Sequence, residues 1–232
     1  LAVMLLTGQA VFGTEVQTLV PGRFGRALNG LAAGPKASAQ ATYSQPPLTV
    51  ECWALVRGKN EFNILAANEP KASGTHWELY TYAGSGYFSV YMPGYVPAEI
   101  KSSRDITDGQ WHYLAMIFEP DRVRLYVDGL EAANQQIARN PQAASHPGSL
   151  AFGCIESETL KCDGLIDEVR ITEGVRTIAN PPAAPFTVER HDNAFHGREL
   201  VEIASEQIPC QLGHKRRGGR RSRRMRVPFA HG

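Results

Sequence analysis

The sequence predicts an all-β fold, a two-sheet antiparallel jelly-roll sandwich, and three observations carry that expectation. From Thr49 to Ile171 apolar residues recur at every second position far more often than at helical spacing, which is the pattern of half-buried strands. Short Gly, Pro and Asp turn signals separate those stretches, and no helical pattern of about 10–15 residues lies between them. The composition allows a packed core: 232 residues, 43% hydrophobic, with 22 Gly, 15 Pro and 4 Cys. Those counts exclude collagen-like, globally disordered and cysteine-framework chains.

The first residues, Leu1-Ala-Val-Met-Leu-Leu6, are continuously apolar and run into small and polar residues up to Gly13. Residues 1–13 resemble the back half of a secretory signal peptide without its basic start, and a first β-strand or a mistaken gene start would give the same pattern. A first residue of Leu points to an incomplete N-terminus. The main domain is expected over residues 14–185. Within it, Gly34 to Gln45 is rich in Ala, Ser and Gly and reads as a loop. In Thr49-Val-Glu-Cys-Trp-Ala-Leu-Val56 the two alternating sets are both apolar enough to be covered, as a central strand of a sandwich requires. Trp77 to Tyr82 and Tyr87 to Tyr91 flank Ala83-Gly-Ser-Gly86, whose glycines can take the positive φ of a hairpin turn.

The same grammar repeats downstream. Trp111 to Phe118 leads through Glu119-Pro-Asp121 into Arg122 to Val127, where Val123, Leu125 and Val127 alternate with Arg124 and Tyr126. Asp128-Gly129 supplies another tight turn, and Leu150 to Ile155 and Leu165 to Ile171 read as two further strands around a polar loop. Asn180-Pro-Pro-Ala-Ala-Pro185 ends the sheet core, because each proline removes a backbone donor. Residues 186–232 are an extension of weak periodicity followed by a basic tail, with eight basic residues among the twelve from Lys215 to Arg226. Like charges that dense repel and disfavour a fold.

The net charge of +1 hides this division. Without the eight basic residues after Gln211, 16 basic residues stand against 23 acidic ones, so the body is acidic by seven charges and the tail basic by eight. No run of 18 apolar residues occurs, which excludes a helical membrane span.

Five motifs stand in an order that resembles laminin G-like domains of the concanavalin A-like lectin/glucanase jelly-roll superfamily, in their bacterial secreted form. They are Phe24-Gly-Arg-Ala-Leu28, Leu48-Thr-Val-Glu-Cys-Trp53, Asp108-Gly-Gln-Trp-His112, Val123-Arg-Leu-Tyr-Val-Asp-Gly129 and Gly164-Leu-Ile-Asp-Glu-Val-Arg170. Each alone is only a turn and a strand; the set in order, over Gly22 to Thr177, is specific. Family members usually carry a further strand upstream of the first motif, often with a Trp and an acidic residue, and this chain has only Leu1 to Val20 there. Where the family often has an aromatic followed by Asp-Gly, this chain reads Asn29-Gly30. The first departure fits a fragment of a longer protein.

Glycosidases of this architecture need two carboxylates about 5–5.5 Å apart for retention or about 6.5–9.5 Å for inversion. The strand pattern that would place them, Glu-x-Asp with a third acid, is missing: Glu119-Pro-Asp121 sits in a turn and Glu156-Ser-Glu158 in a loop. No nucleophile elbow, phosphate loop or dinucleotide fingerprint is present. The seven histidines show no zinc-finger or His-x-x-x-His spacing, and His112 is expected to face solvent or a neighbouring strand.

Several relatives of this fold bind calcium, and Asp163, Asp167 and Glu168, near Asn29, are the best oxygen ligands available; capping of a strand is the alternative for Asp167 and Glu168. For sugars, which need an aromatic platform edged by polar partners, Trp77 to Tyr95 offers seven aromatics. Tyr80 and Tyr82 share one face of their strand and Tyr87 and Tyr91 one face of its partner. If the faces coincide, four tyrosines line one surface; otherwise they pack under a loop.

Cys154 and Cys162 flank the loop between two strands and could form a disulfide, Cys52 is expected to be buried, and Cys210 lies near the tail. The tail could bind nucleic acid, anionic polysaccharide or a membrane surface, or be a solubilising end or a frame error. The expectation is a non-catalytic module, secreted or in the cell envelope, that binds a glycan or surface glycoprotein, with a structural or protein-interaction domain as the alternative. Nucleic acid enters only through the tail, and calcium is the one candidate cofactor.

Overall fold

A computed structural model describes residues 17–32, 34–155, 159–186 and 198–203, with side chains for all of these but 198–203. The signal-like segment 1–13, Cys210, Glu156, Glu158 and the basic tail therefore lie outside the described residues. In chain order the strands begin with β1 (Leu19–Pro21), β2 (Arg26–Asn29), β3 (Lys36–Ala37), β4 (Leu48–Val56) and β5 (Asn63–Asn68). Next come β6 (Trp77–Thr81), β7 (Tyr87–Tyr91), β8 (Tyr95–Val96), β9 (Glu99–Asp105), β10 (Trp111–Glu119) and β11 (Arg122–Val127). The last are β12 (Leu130–Gln136), β13 (Ala138–Arg139), β14 (Leu150–Phe152), β15 (Gly164–Glu173) and β16 (Arg198–Ile203). One short 3-10 turn spans Ala41–Ser44, and no described helix is long and apolar enough to cross a membrane.

Two large antiparallel sheets form the sandwich. The larger runs β1-β2-β15-β4-β10-β11-β12, with β16 also on β15, and the smaller runs β3-β14-β5-β6-β7-β9. Alternation in β4 explains why it sits in the middle. Val50, Cys52, Ala54 and Val56 enter the core between the sheets, while Trp53 packs with Phe24, Trp111, Tyr113 and Phe186 on the other side. The core is completed by Leu65, Trp77, Leu79, Phe88, Val90, Leu114, Met116, Phe118, Val123 and Leu125. The Trp77 indole N–H donates to the Tyr43 carbonyl at 2.7 Å, so a polar handle is satisfied inside the apolar layer.

The turns follow the sequence. Gly84 and Gly86 take φ of 83° and 71° between β6 and β7, and Asp128 and Gly129 take 53° and 81° between β11 and β12. Where the structure departs from the sequence reading, the reason is backbone pairing without an apolar pattern. Gly34 to Gln45 is not only a loop: it contributes β3 to an edge and buries Tyr43. The weakly periodic extension holds β16, which pairs with β15 through Val169 to Glu173.

The expected Cys154–Cys162 disulfide is corrected: both are free thiols, as is Cys52. An isolated bridge sets Cys154 opposite Lys161, so Cys162, one residue on, turns to the other face and into the core. Burial pushes the Cys52 thiol up to about 12 and raises Cys162 further.

Candidate functional site

On β6, Trp77, Leu79 and Thr81 point inward, which leaves Glu78, Tyr80 and the following Tyr82 on the outer face of the smaller sheet. Tyr80 lies opposite Ser89 and Glu78 opposite Tyr91, and the Tyr82 amide donates to the Tyr87 carbonyl at 2.9 Å. Alternation along β7 therefore brings Tyr87, Ser89 and Tyr91 to the same face, and the two tyrosine pairs coincide. Strand β9 extends the pattern, with Lys101 opposite Ser89 and Glu99 opposite Tyr91. The face reads as two cross-strand rows, Glu78-Tyr91-Glu99 and Tyr80-Ser89-Lys101.

The four tyrosines are not equivalent. Tyr80 is buried, its ring 5.9 Å from Phe62 and 6.5 Å from Tyr82, and its hydroxyl donates to Glu99 Oε1 at 2.5 Å. Burial and the Glu99 hydrogen bond raise its phenol far above the ordinary range. Tyr82 is half-buried, with Phe62 edge-on at 5.4 Å and the Lys101 ammonium 3.2 Å from its ring centroid. Tyr91 is half-buried, with His76 at 6.3 Å and the Lys71 ammonium at 5.5 Å. Tyr87 is 37% exposed. Cations over aromatic rings stabilise by about 0.5–1 kcal/mol each at exposed sites.

Both cations are tied to carboxylates on the same face: Lys101 to Glu99 at 3.0 Å and Lys71 to Glu78 at 3.7 Å. Desolvation works against the Lys101 charge, but Glu99 and Tyr82 outweigh it and raise its pKa. Behind Glu78, His76 is fully buried; its Nδ1 lies 2.7 Å from the Asn68 carbonyl and so carries a hydrogen, and its Nε2 lies 3.3 Å from Glu78 Oε2. Sequence reasoning missed Glu78, Glu99, Lys71, Lys101, His76 and Phe62. For Glu78 the signal was present, since it alternates with Tyr80 and Tyr82.

The candidate calcium ligands do not converge. Asp163 is exposed beside Arg57 at 3.7 Å, four residues and thus roughly 13 Å of strand from Asp167. Asp167 Oδ2 accepts from the Phe24 amide at 3.0 Å and Oδ1 from the Glu168 amide at 2.9 Å; burial raises its pKa despite them. Glu168 Oε2 accepts from the Phe186 amide at 2.6 Å. Asp167 and Glu168 thus hold chain crossings, and no group of three or more potential metal ligands occurs among the described residues. His112 joins two turns, contacting Asp128 at 2.8 Å and Asp108 at 3.2 Å, and Glu119 pairs with Arg124 at 2.7 Å.

The outer face of the larger sheet is closed by the chain itself. Glu51, 1% exposed, receives two hydrogen bonds from Arg170 at 2.9 and 2.8 Å, an ion pair from Arg176 at 3.0 Å and the Tyr113 hydroxyl. Phe186 lies under the Arg170 guanidinium at 3.9 Å and Ile178 packs nearby, so residues 175–186 form a strap across the face.

Comparison with known proteins places this architecture. A family model described as the concanavalin A-like lectin/glucanases superfamily, of the laminin G type, matches residues 32–180. Among solved structures, domain 4 of an extracellular arabinanase from Geobacillus stearothermophilus, in complex with arabinotriose, is similar at 20% identity. The match covers 67% of this chain and 74% of that one, with a TM-score of 0.54. The sialidase carbohydrate-binding module of Ruminococcus gnavus is similar at 10% identity, covering 59% and 86%, with a TM-score of 0.41. Domains LG4-5 of the mouse laminin alpha1 chain are similar at 14%, covering 64% and 42%, with a TM-score of 0.42. No curated protein matches the sequence.

Proposed function

Because this chain belongs to the concanavalin A-like lectin/glucanases superfamily through residues 32–180, we propose that it is a non-catalytic carbohydrate-binding module, secreted or held at the cell envelope. The observation that carries the reading is the outer face of the smaller sheet, where Tyr82, Tyr87 and Tyr91 stay accessible beside Glu78, Glu99, Lys71 and Lys101. A pyranose or furanose ring presents an apolar patch edged by hydroxyls, and exposed tyrosines beside paired charges offer both kinds of contact. Further support comes from the arabinanase domain of similar fold, which was solved with arabinotriose bound. Tyr80 supports the face from below, its hydroxyl fixing Glu99.

Binding of the full chain to an immobilised glycan panel, with and without calcium, tests the proposal. The expected result is a restricted set of glycans whose binding falls in Tyr91→Ala. A chain that binds no glycan under either condition overturns it.

A further inference from the structure

We infer that the outer face of the smaller sheet selects neutral glycans, reading a pair of neighbouring hydroxyls with Glu99 and Lys101, and rejects uronic, sialic and sulfated sugars. This rests on the carbohydrate-binding reading and concerns the ligand class of that same site.

The charge layout carries the inference. Glu78 and Glu99 flank Tyr91 in one cross-strand row, which sets their Cα atoms two strand spacings, roughly 10 Å, apart. A ring stacked at Tyr91 would have a carboxylate on either side. The two ammonium groups of the face do not offset this for an incoming anion, because each is already engaged with one of those carboxylates and with a tyrosine ring. An acidic sugar would have to separate an ion pair or approach a carboxylate. The acidic balance of the chain before Gln211 adds repulsion of the same sign at longer range.

A hydroxyl pair meets no such obstacle. The Glu99 side chain is 35% exposed, and its carboxylate offers about four acceptor sites, of which Tyr80 takes one and Lys101 another. Lys101, 36% exposed, has three N–H donors; one faces Glu99 and one the Tyr82 ring. One ligand hydroxyl can therefore donate to Glu99 while its neighbour accepts from Lys101, with both ion pairs kept.

The test sorts the hits of a panel holding neutral polysaccharides (arabinan, galactan, xylan, mannan, glucan) and acidic ones (polygalacturonate, glucuronan, alginate, heparin, sialylated oligosaccharides). Binding is measured at low ionic strength, where charge repulsion is least screened, on the full chain with the eight basic residues of Lys215 to Arg226 replaced by Gln, because that basic run would itself attract acidic polymers. Neutral hits, with each acidic polymer of the same backbone at least about tenfold weaker, are expected, and in Glu99→Gln that ratio shrinks while Tyr80 keeps an acceptor. Acidic hits of equal or greater strength, or a ratio unmoved in Glu99→Gln, overturn the inference and leave the binding reading standing. No hit of either class overturns the binding reading itself.

Discussion

The two outer faces of the sandwich are built by the same alternation and finished in opposite ways. On the larger sheet, Glu51, Trp53 and Tyr113 point away from the core and are covered by the strap 175–186. On the smaller sheet, Tyr82 and Tyr91 point away from the core and keep part of their surface open, with Glu78 buried beside them. Both faces combine carboxylates, aromatic rings and cations, so residue type does not separate a structural face from a recognition face. Coverage does. On the strapped face the cations are arginines making geometry-specific bonds to one buried carboxylate, which fixes chain segments to one another. On the open face they are lysines, point charges on flexible stems that can turn toward a ligand.

The largest effect is expected on the strapped face, from Glu51→Ala. Removing that carboxylate takes from the buried Arg170 two charge-assisted hydrogen bonds and from Arg176 an ion pair, and loss of about 3–5 kcal/mol of stability is expected in equilibrium unfolding. Phe186→Ala should cost about 3 kcal/mol through loss of strap packing, with glycan affinity per folded molecule unchanged. Tyr82→Ala should do the reverse. A loss of at least about tenfold in affinity, or about 1.4 kcal/mol, is expected by calorimetry, with stability changed by less than about 1 kcal/mol. If Tyr82→Ala destabilises as Glu51→Ala does, the open face is core and the contrast fails.

The smallest effect is with pH. Asp108 is held below its ordinary value, chiefly by the Gln110 amide and also by His112; Asp105 is held low because the Thr107 hydroxyl and amide and Lys59 outweigh its burial. Their stabilisation is complete above the unfolded value near 3.8 and is lost as pH falls through the lower folded values. Both are largely exposed, so Asp108→Asn should flatten the acid-unfolding curve below pH 4 only slightly.

Much of the sandwich was legible because its signals are local. Period-two alternation in β4, β10 and β11, and positive-φ glycines at 84, 86 and 129, specify strand and turn within a few residues. The tyrosine face was legible only up to register: alternation pairs Tyr80 with Tyr82 and Tyr87 with Tyr91, and the hairpin pairing then joins the pairs. The cations and carboxylates beside them were hidden because Lys101 and Glu99 arrive from a third strand and Lys71 from a loop. Register likewise decided the cysteines: Cys154 pairs with Lys161 and not with Cys162, so two thiols that look close along the chain turn to opposite faces. Asp163 and Asp167 looked like neighbours for the same reason, although an extended strand spreads four residues over roughly 13 Å.

The strap also bears on where this domain can be cut and moved. Family similarity stops at residue 180, yet the Phe186 amide closes the Glu168 carboxylate and its ring covers Arg170. A transplanted module that ended at the similarity boundary would carry its smaller sheet intact and its opposite wall unroofed. Grafted as a fusion partner, the unit has to run at least through Phe186, six residues beyond the point where homology would place the scissors, and through Ile203 to keep β16 on β15.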